Sequence, residues 1–365
     1  MERICARCLG VPHQDHRSLS RTQMSSDSVQ HLTVGIVAIG RNEGERLRAC
    51  LASAVALAPH VIYVDSGSTD GSAALAASLG ASVVNLDLSI PFTAARARNE
   101  GFDRLLTLHP QTDFVFFVDG DCEINLDFIP KALAAMSTDA SIAVVCGRRR
   151  ERHPDATIYN KLCDIEWNTP VGEASACGGD ALMRVSALKA VGGFNPTVIA
   201  GEEPELCVRL RQQGQKILRI DAEMTLHDAA MTRLGQWWKR NVRAGHAYAQ
   251  GAAMHGQPPE KHWVKQVRSN DFWGLFIPLV SIVLAPFAYG LSLLIWFAGY
   301  DLLAFKIYRR ARQTLGPDAA TYTFFIVLSK IPQAIGQLKF RIARLLGRRS
   351  EIIEYKTAAA GAGPA

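Results

Sequence analysis

From residue 34 to residue 119 the chain alternates short runs of apolar, often β-branched residues with stretches whose apolar positions recur at helical spacing. That alternation confines it to one fold class. Residues 34–39 read as a buried strand running into Gly40-Arg41-Asn42-Glu43, after which Leu47, Cys50, Leu51, Ala54 and Val55 fall three and four residues apart. A second strand, 61–64, ends at Asp65 and is followed by Ser66-Gly67-Ser68-Thr69-Asp70-Gly71. Asp70 is placed to cap the short alanine-rich helix that Gly80 closes. Residues 83–86 give a third strand and 93–109 a helix, before the strand that carries Phe116-Phe117-Val118-Asp119-Gly120-Asp121. Strand and helix in alternation predict an α/β fold, a mostly parallel sheet flanked by helices, in which ligands gather beyond the carboxyl ends of the strands. Asp65, Asp119 and Asp121 all lie at such ends.

The last of these motifs has a chemistry of its own. Alternate side chains of an extended segment share a face, so Asp119 and Asp121 can point the same way, with Gly120 leaving room for a ligand. Two carboxylates so close repel one another unless a cation sits between them, and Mg²⁺ or Mn²⁺ carrying diphosphate oxygens meets that need. A strand end followed by an Asp-Gly turn is the plainer alternative.

Taken together, Asn42-Glu43, Val64-Asp65-Ser66-Gly67-Ser68-Thr69-Asp70, Ala97-Arg98-Asn99-Glu100-Gly101, Asp119-Gly120-Asp121, Gly178-Gly179 and Gly201-Glu202-Glu203 resemble glycosyltransferase family 2 and its GT-A nucleotide-sugar fold. The resemblance spans roughly residues 33 to 230, in the family's order. It implies that Asp65 contacts the nucleotide base, that Arg98 lies near the nucleotide, that Asp119 lies against the ribose and that Asp121 coordinates the metal. Gly178-Gly179 resembles the segment that closes over the donor sugar, with Asp180 where the family often has asparagine. His227 stands where some GT-A enzymes place a further metal ligand, although a histidine there can also cap a strand. For Arg98 the plain alternative is a solvated helix face.

An inverting sugar transfer needs a carboxylate to take the proton from the acceptor hydroxyl. By the same resemblance Glu203 is the base, in the second position of an acidic pair whose first member is Glu202, with Glu202 and Glu205 as fallbacks. Pro204 is expected to open a helix over 205–213. Acidic residues at a helix start are also favoured by the helix dipole alone.

The last third of the chain changes character. Residues 272–305 carry a single charge, Asp301, and as one straight helix would run about 51 Å against a hydrocarbon core of about 30 Å. Two crossings would need about 40 residues, and Pro278 and Pro286 favour a broken or re-entrant hairpin. Residues 321–328 read as a second arm or an in-plane helix. Between 301 and 350 ten Lys or Arg stand against two Asp, an excess that belongs on the side of anionic headgroups. The basic balance therefore points to a membrane and away from nucleic acid. Gln236-Trp237-Trp238-Lys239-Arg240 begins a helix expected to lie in the interface, its rings among headgroups.

No apolar segment follows Met1, so a cytosolic catalytic domain at the inner, cytoplasmic membrane is expected. The eight cysteines then read as thiols. Cys5-x-x-Cys8 with His13 and His16 has something of a zinc spacing but sits in a polar tail. The expected organisation is a disordered tail at 1–30, a GT-A domain at 31–230, amphipathic interface helices at 231–270, membrane-associated hydrophobic helices at 271–350 and a disordered tail at 351–365. The expected activity is metal-dependent transfer of one sugar from a nucleotide-diphosphate sugar, a UDP-sugar first, to a lipid-linked acceptor in polysaccharide or glycolipid assembly. A non-catalytic nucleotide-sugar-binding scaffold and a nucleotidyltransferase remain the alternatives.

Overall fold

Strands β1 (Val34–Gly40), β2 (His60–Asp65) and β3 (Ser82–Asn85) alternate with helices α1 (Glu45–Leu57), α2 (Ser72–Ser78) and α3 (Ala94–Leu108) in a computed structural model of the chain that describes residues 32–348. The tails expected at 1–30 and 351–365, with the Cys5, Cys8, His13 and His16 group, lie outside the described residues. The α/β part continues through β4 (Phe114–Asp119), β5 (Cys122–Ile124), α4 (Phe128–Thr138), β6 (Ile142–Glu151) and α5 (Ile158–Trp167). It then runs through β7 (Gly172–Glu173), β8 (Ala181–Arg184), α6 (Val185–Ala190), α7 (Glu202–Gln212) and β9 (Lys216–His227).

These strands form one mixed sheet in the order β3-β2-β1-β4-β8-β6-β9-β5, with β7 on β9. Its β3-β2-β1-β4 half is parallel, as is the β6/β9 pair, while β8, β5 and β7 run antiparallel to their neighbours. The parallel half is apolar almost without interruption because helices cover it: Ile36, Val37, Ala38, Ile62, Phe116 and Phe117 are fully buried. Gly101 lets α3 settle onto that half, since a Cβ there would strike Val37 and Val64. The register pairs Gly40 with Asp65 and Ile39 with Asp119, so three neighbouring strands end level, side by side. That common edge is where the site forms.

Six further helices follow: α8 (Leu234–His255), α9 (Val264–Asp271), α10 (Ile277–Leu284), α11 (Leu293–Leu315), α12 (Ala319–Leu328) and α13 (Lys330–Leu345), with a π-helical turn Phe272–Phe276 between α9 and α10. The described residues from Thr33 onward belong to one compact unit. Helix α13 lies tightly along α8, because Gly245 faces the backbone of Gln333 and Gly336 faces the backbone of Val242.

Four local expectations change. The Gly-Glu-Glu helix begins at Glu202, with Pro204 in its third position, so both glutamates are in the first turn and not in a preceding loop. Proline is tolerated there because the first-turn N–H groups have no intrahelical partner. Residues 216–227 form one long strand, where the sequence alone reads as a strand over 216–220 and a separate segment at 224–228. Helix α2 begins after Gly71, and Asp70 serves it one position early, accepting from the Ser72 N–H at 3.0 Å. Finally, Trp237 does not lie among headgroups. It is buried, its ring edge-on to Phe325 with centroids 5.1 Å apart.

Candidate active site

The loops at the ends of β1 and β2 are stitched together. Asn42, held at φ 56°, accepts from the Thr69 N–H at 2.8 Å and donates its own N–H to the Ser68 hydroxyl at 2.9 Å, while Asp70 accepts from the Gly44 N–H at 3.0 Å. Asp65 is buried, and one carboxylate oxygen accepts from the N–H groups of Gly67 and Ser68 at 3.0 and 2.8 Å, the other from the Tyr63 hydroxyl at 3.2 Å. It therefore braces the loop, and Ser66, Thr69 and Asp70 are the residues of that loop that line the cavity.

Arg98 is not on a solvated helix face. It is 1% exposed, and its guanidinium donates to Glu202 at 2.7 Å, to Asp119 at 2.8 Å and to the Gly179 carbonyl at 3.2 Å, with Glu203 at 3.3 Å. Burial alone would lower its pKa, but Glu203, Asp119 and Glu202 reverse that and raise it, so the charge is permanent. The neighbouring residues of the same block work with it. Asn99 clamps both backbone groups of Phe194, accepting from its N–H at 2.9 Å and donating to its carbonyl at 2.7 Å.

A second arginine was not anticipated. Arg149, on β6, reaches Asp180 at 2.6 Å and Asp119 at 3.2 Å. Asp180 has no exposed surface and also accepts from the Asp119 N–H at 3.1 Å and the Thr225 hydroxyl at 2.6 Å. The visible signal was Arg148-Arg149-Arg150-Glu151 at the end of an apolar run, where strand alternation turns the middle arginine opposite to its neighbours. Gly179 sits on this network, since a Cβ would come within 2.8 Å of Arg149 and Asp119 and 3.2 Å of Glu203. Gly178 precedes it at φ 78°, a left-handed conformation that glycine adopts freely.

The two aspartates of the Asp-Gly-Asp motif thus serve different partners. Asp119 is balanced by Arg98 and Arg149, whereas Asp121 is buried against His227, whose Nε2 lies 3.3 Å from its carboxylate. Each carboxylate has protein partners of its own, two guanidinium groups at Asp119 and an imidazole at Asp121. Burial would lower the His227 pKa, but the Asp121 charge and hydrogen bonds to Asp121 and Glu151 raise it. Glu151, 3.5 Å from Nδ1, is the partner that orients the ring, and Trp167 packs edge-on to it at 4.6 Å.

Metal-ligating atoms of Asp121, Cys122 and His227 all lie within 4.8 Å of one another. A carboxylate and an imidazole backed by a second carboxylate suit Mn²⁺ or Mg²⁺. Cys122 does not add to the set: burial holds its thiol well above the usual range, and hard cations favour oxygen.

Glu203 lies at the other side of this cluster. Burial and the adjacent Glu202 charge push its pKa up to about 7, with Arg98 acting in the opposite direction. Glu205 is already committed elsewhere, since Arg209 grips it at 2.7 to 3.1 Å and the His255 Nε2 lies 3.0 Å away. Of the fallback bases, Glu202 is likewise occupied by Arg98.

A cavity of about 1210 Å³ brings these groups to one surface. Asp119, Asp121, Gly178, Gly179, Glu202 and Glu203 line one part of it, and Tyr159, Trp237, Arg240, Arg243, Tyr322 and Phe325 another. Tyr248 and Trp263 also line it, ring centroids 5.2 Å apart, with Trp263 over Gly201.

Strand ends, level carboxylates and a cavity beyond the parallel edge define a GT-A nucleotide-sugar domain. Residues 36–192 match the family model Glycosyl transferase family 2. Among curated proteins it is 28% identical over 241 residues to the pre-mycofactocin glycosyltransferase of Mycobacterium tuberculosis, covering 62% of this chain and 48% of that one. It is 24% identical over 298 residues to the succinoglycan biosynthesis protein ExoA of Rhizobium meliloti, covering 75% and 83%. The chain spans about half the length of the first of these relatives. Among solved structures, the mannosyltransferase PcManGT of Pyrobaculum calidifontis, in complex with GDP-Man and Mn²⁺, superposes with a TM-score of 0.55 at 16% identity, over 84% of this chain and 86% of that one. At that identity the likeness concerns the fold.

Proposed function

We propose that this protein transfers a single sugar, with inversion, from a nucleotide-diphosphate sugar, a UDP-sugar first among the candidates, to a lipid-linked acceptor at the cytoplasmic face of the inner membrane. The observation that carries the proposal is that one cavity joins Asp119, Glu203 and Asp121, itself paired with His227, to an aromatic wall holding two arginines. The first part suits a nucleoside diphosphate, the second an amphipathic acceptor with an anionic group.

Each residue has a task in this scheme. Glu203, its pKa near 7, takes the proton of the acceptor hydroxyl. Arg98 holds Glu203, Glu202 and Asp119 in one arrangement, so the base does not swing away. Asp119 retains a face toward the cavity for the ribose hydroxyls, Asp65 holds the loop beside the base, and the Gly178-Gly179 backbone leaves room for the sugar. Asp121 and His227 would hold Mn²⁺ or Mg²⁺, which when bound supplies Lewis-acid neutralisation of the diphosphate. Arg240 and Arg243 face the acceptor's phosphate, with Trp237 and Phe325 against its apolar part.

The test is a panel of UDP-, GDP- and dTDP-sugars assayed for binding and for nucleoside diphosphate release, with Mg²⁺, with Mn²⁺ and with EDTA. Cation-dependent release from one donor is the expected result. Binding without turnover on any acceptor pool would move the protein to the scaffold reading, and release of pyrophosphate to nucleotidyl transfer.

A further inference from the structure

The apolar segment after α9 reveals more than membrane affinity. Helices α9, the π-turn and α10 are continuous from Val264 to Leu284, long and apolar enough by length and composition to cross a bilayer. The first half of that helix is not available for crossing. Asp271 is gripped by both terminal nitrogens of Arg341 at 2.8 and 2.7 Å, Asn270 is fully buried and accepts from the Lys330 ammonium at 3.1 Å, and Gly274 lies against the Lys330 backbone. All three contacts tie it to α13, which is itself fastened to α8.

Beyond Gly274 most of the large apolar side chains face outward. Phe276, Leu279, Ile282 and Val283 are more than half exposed on the first arm, as are Leu294 and Phe297 on the second, with Phe287 at 81% and Tyr289 at 97% at the tip. We infer that residues 276–300 form a re-entrant hairpin that enters one leaflet of an anionic phospholipid bilayer and turns back without crossing. This rests on the membrane association proposed above and adds how the membrane is met.

Length decides the depth. From Ile277 to Leu284, and from Leu293 back to residue 300, each arm offers about 12 Å of helix at 1.5 Å per residue, close to half of a hydrocarbon core of about 30 Å. Asp301 is exposed and marks the level at which the second arm leaves hydrocarbon. Trp273 and Tyr300 meet at the same level, where aromatic rings suit the headgroup boundary, and Lys306, Arg309, Arg310 and Arg312 follow within the next turns, placed for anionic headgroups.

The backbone of the turn is largely paired within the hairpin, as hydrocarbon requires. In its turn the N–H groups of Phe287 and Ala288 donate to the Leu284 carbonyl at 3.1 and 3.0 Å, that of Gly290 to Ala285 at 2.8 Å and that of Leu291 to Ala288 at 2.8 Å. The arms are pinned by the Ser292 hydroxyl on the Ser281 carbonyl and the Tyr300 hydroxyl on the Trp273 carbonyl, both at 2.7 Å. A water-facing loop has no need of such closure.

The experiment uses the full chain with vesicles of phosphatidylcholine and phosphatidylglycerol. A fluorophore on Tyr289→Cys should be quenched by nitroxides carried on the acyl chains, and the unlabelled thiol of the same variant should stay out of reach of an impermeant reagent sealed in the vesicle lumen. Phe287→Asp should weaken vesicle binding about 100-fold, with donor hydrolysis in detergent unchanged. Labelling of that introduced thiol from the lumen would overturn the one-leaflet hairpin while leaving membrane association standing. Absence of binding to anionic vesicles would overturn both, and neither result bears on sugar transfer, which the donor panel decides.

Discussion

The cleft and the hairpin break the ordinary rule of solvation in opposite directions. At the sheet edge Arg98, Asp180 and Glu202 are withdrawn from water, a cost of several kcal/mol per ion that their mutual pairing must offset. In the hairpin Phe287 and Tyr289 are left in the open, where burial would be favourable by about 25 cal/mol per Å². The difference shows where each region's partner comes from. The charges are paired inside the chain and so present a pre-ordered face to a charged donor, whereas the apolar tip meets no partner among the described residues, as the proposed bilayer docking requires.

The largest effect should come from Asp121, the cleft acid that is paired with an imidazole where Asp119 and Asp180 are paired with guanidinium groups. Asp121→Asn keeps the shape but removes the charge opposite His227, and turnover should fall on the order of 10³-fold with the melting temperature little changed. Full activity in that variant would remove the metal assignment and leave His227 a structural residue.

Next comes Glu203. A base works only when deprotonated, and with its pKa pushed up to about 7 by burial and by Glu202, kcat/KM of the free enzyme should rise with pH up to about 7 and then level. Glu203→Gln should lower kcat by about 10²- to 10⁴-fold, erase that acidic limb and leave donor affinity nearly intact. An unchanged pH profile in the variant would transfer the role to Glu202.

How much of this was legible in the sequence follows from the range of the interactions. The alternation of strand and helix over the first half, and the strand-end acids, are local patterns, and the fold and Asp119, Asp121, Glu203 and His227 were placed from them and from the family resemblance. Arg149 was not found, because its meaning depends on Asp180, 31 residues away, and on Asp119, 30 residues away. The same reason explains Trp237. Its sequence neighbours are basic and suggest an interface, but Phe325, far along the chain, supplies the surface that buries it. Arg98 is an intermediate case: its block was recognised, while its task as the tie between Asp119, Glu202 and Glu203 needed the third dimension.

That long-range dependence gives a stability test of the comparison. Arg149→Met removes one partner and leaves Asp180 buried with its charge uncompensated, which should cost about 3–5 kcal/mol in denaturant unfolding. A loss below about 1 kcal/mol would weaken the picture of a pre-paired charge network. By contrast Phe287→Asp, at a position already in the open, should leave unfolding in detergent-free buffer within about 0.5 kcal/mol of the parent.

The smallest effect separates the hairpin's own construction from its surroundings. Ser292→Ala deletes the pin to the Ser281 carbonyl, and since a hydrogen bond nets about 1 kcal/mol in water, unfolding in buffer should shift by no more than that. In a bilayer no water replaces the lost donor, so the Ser281 carbonyl is left to its own helix and the two arms can splay. Amide exchange across residues 284–293 should then quicken in vesicles more than in buffer. Equal changes in both media would mean that the tip stays solvated when the protein binds, and that the contrast between a self-satisfied cleft and an outward-looking hairpin ends at the headgroups.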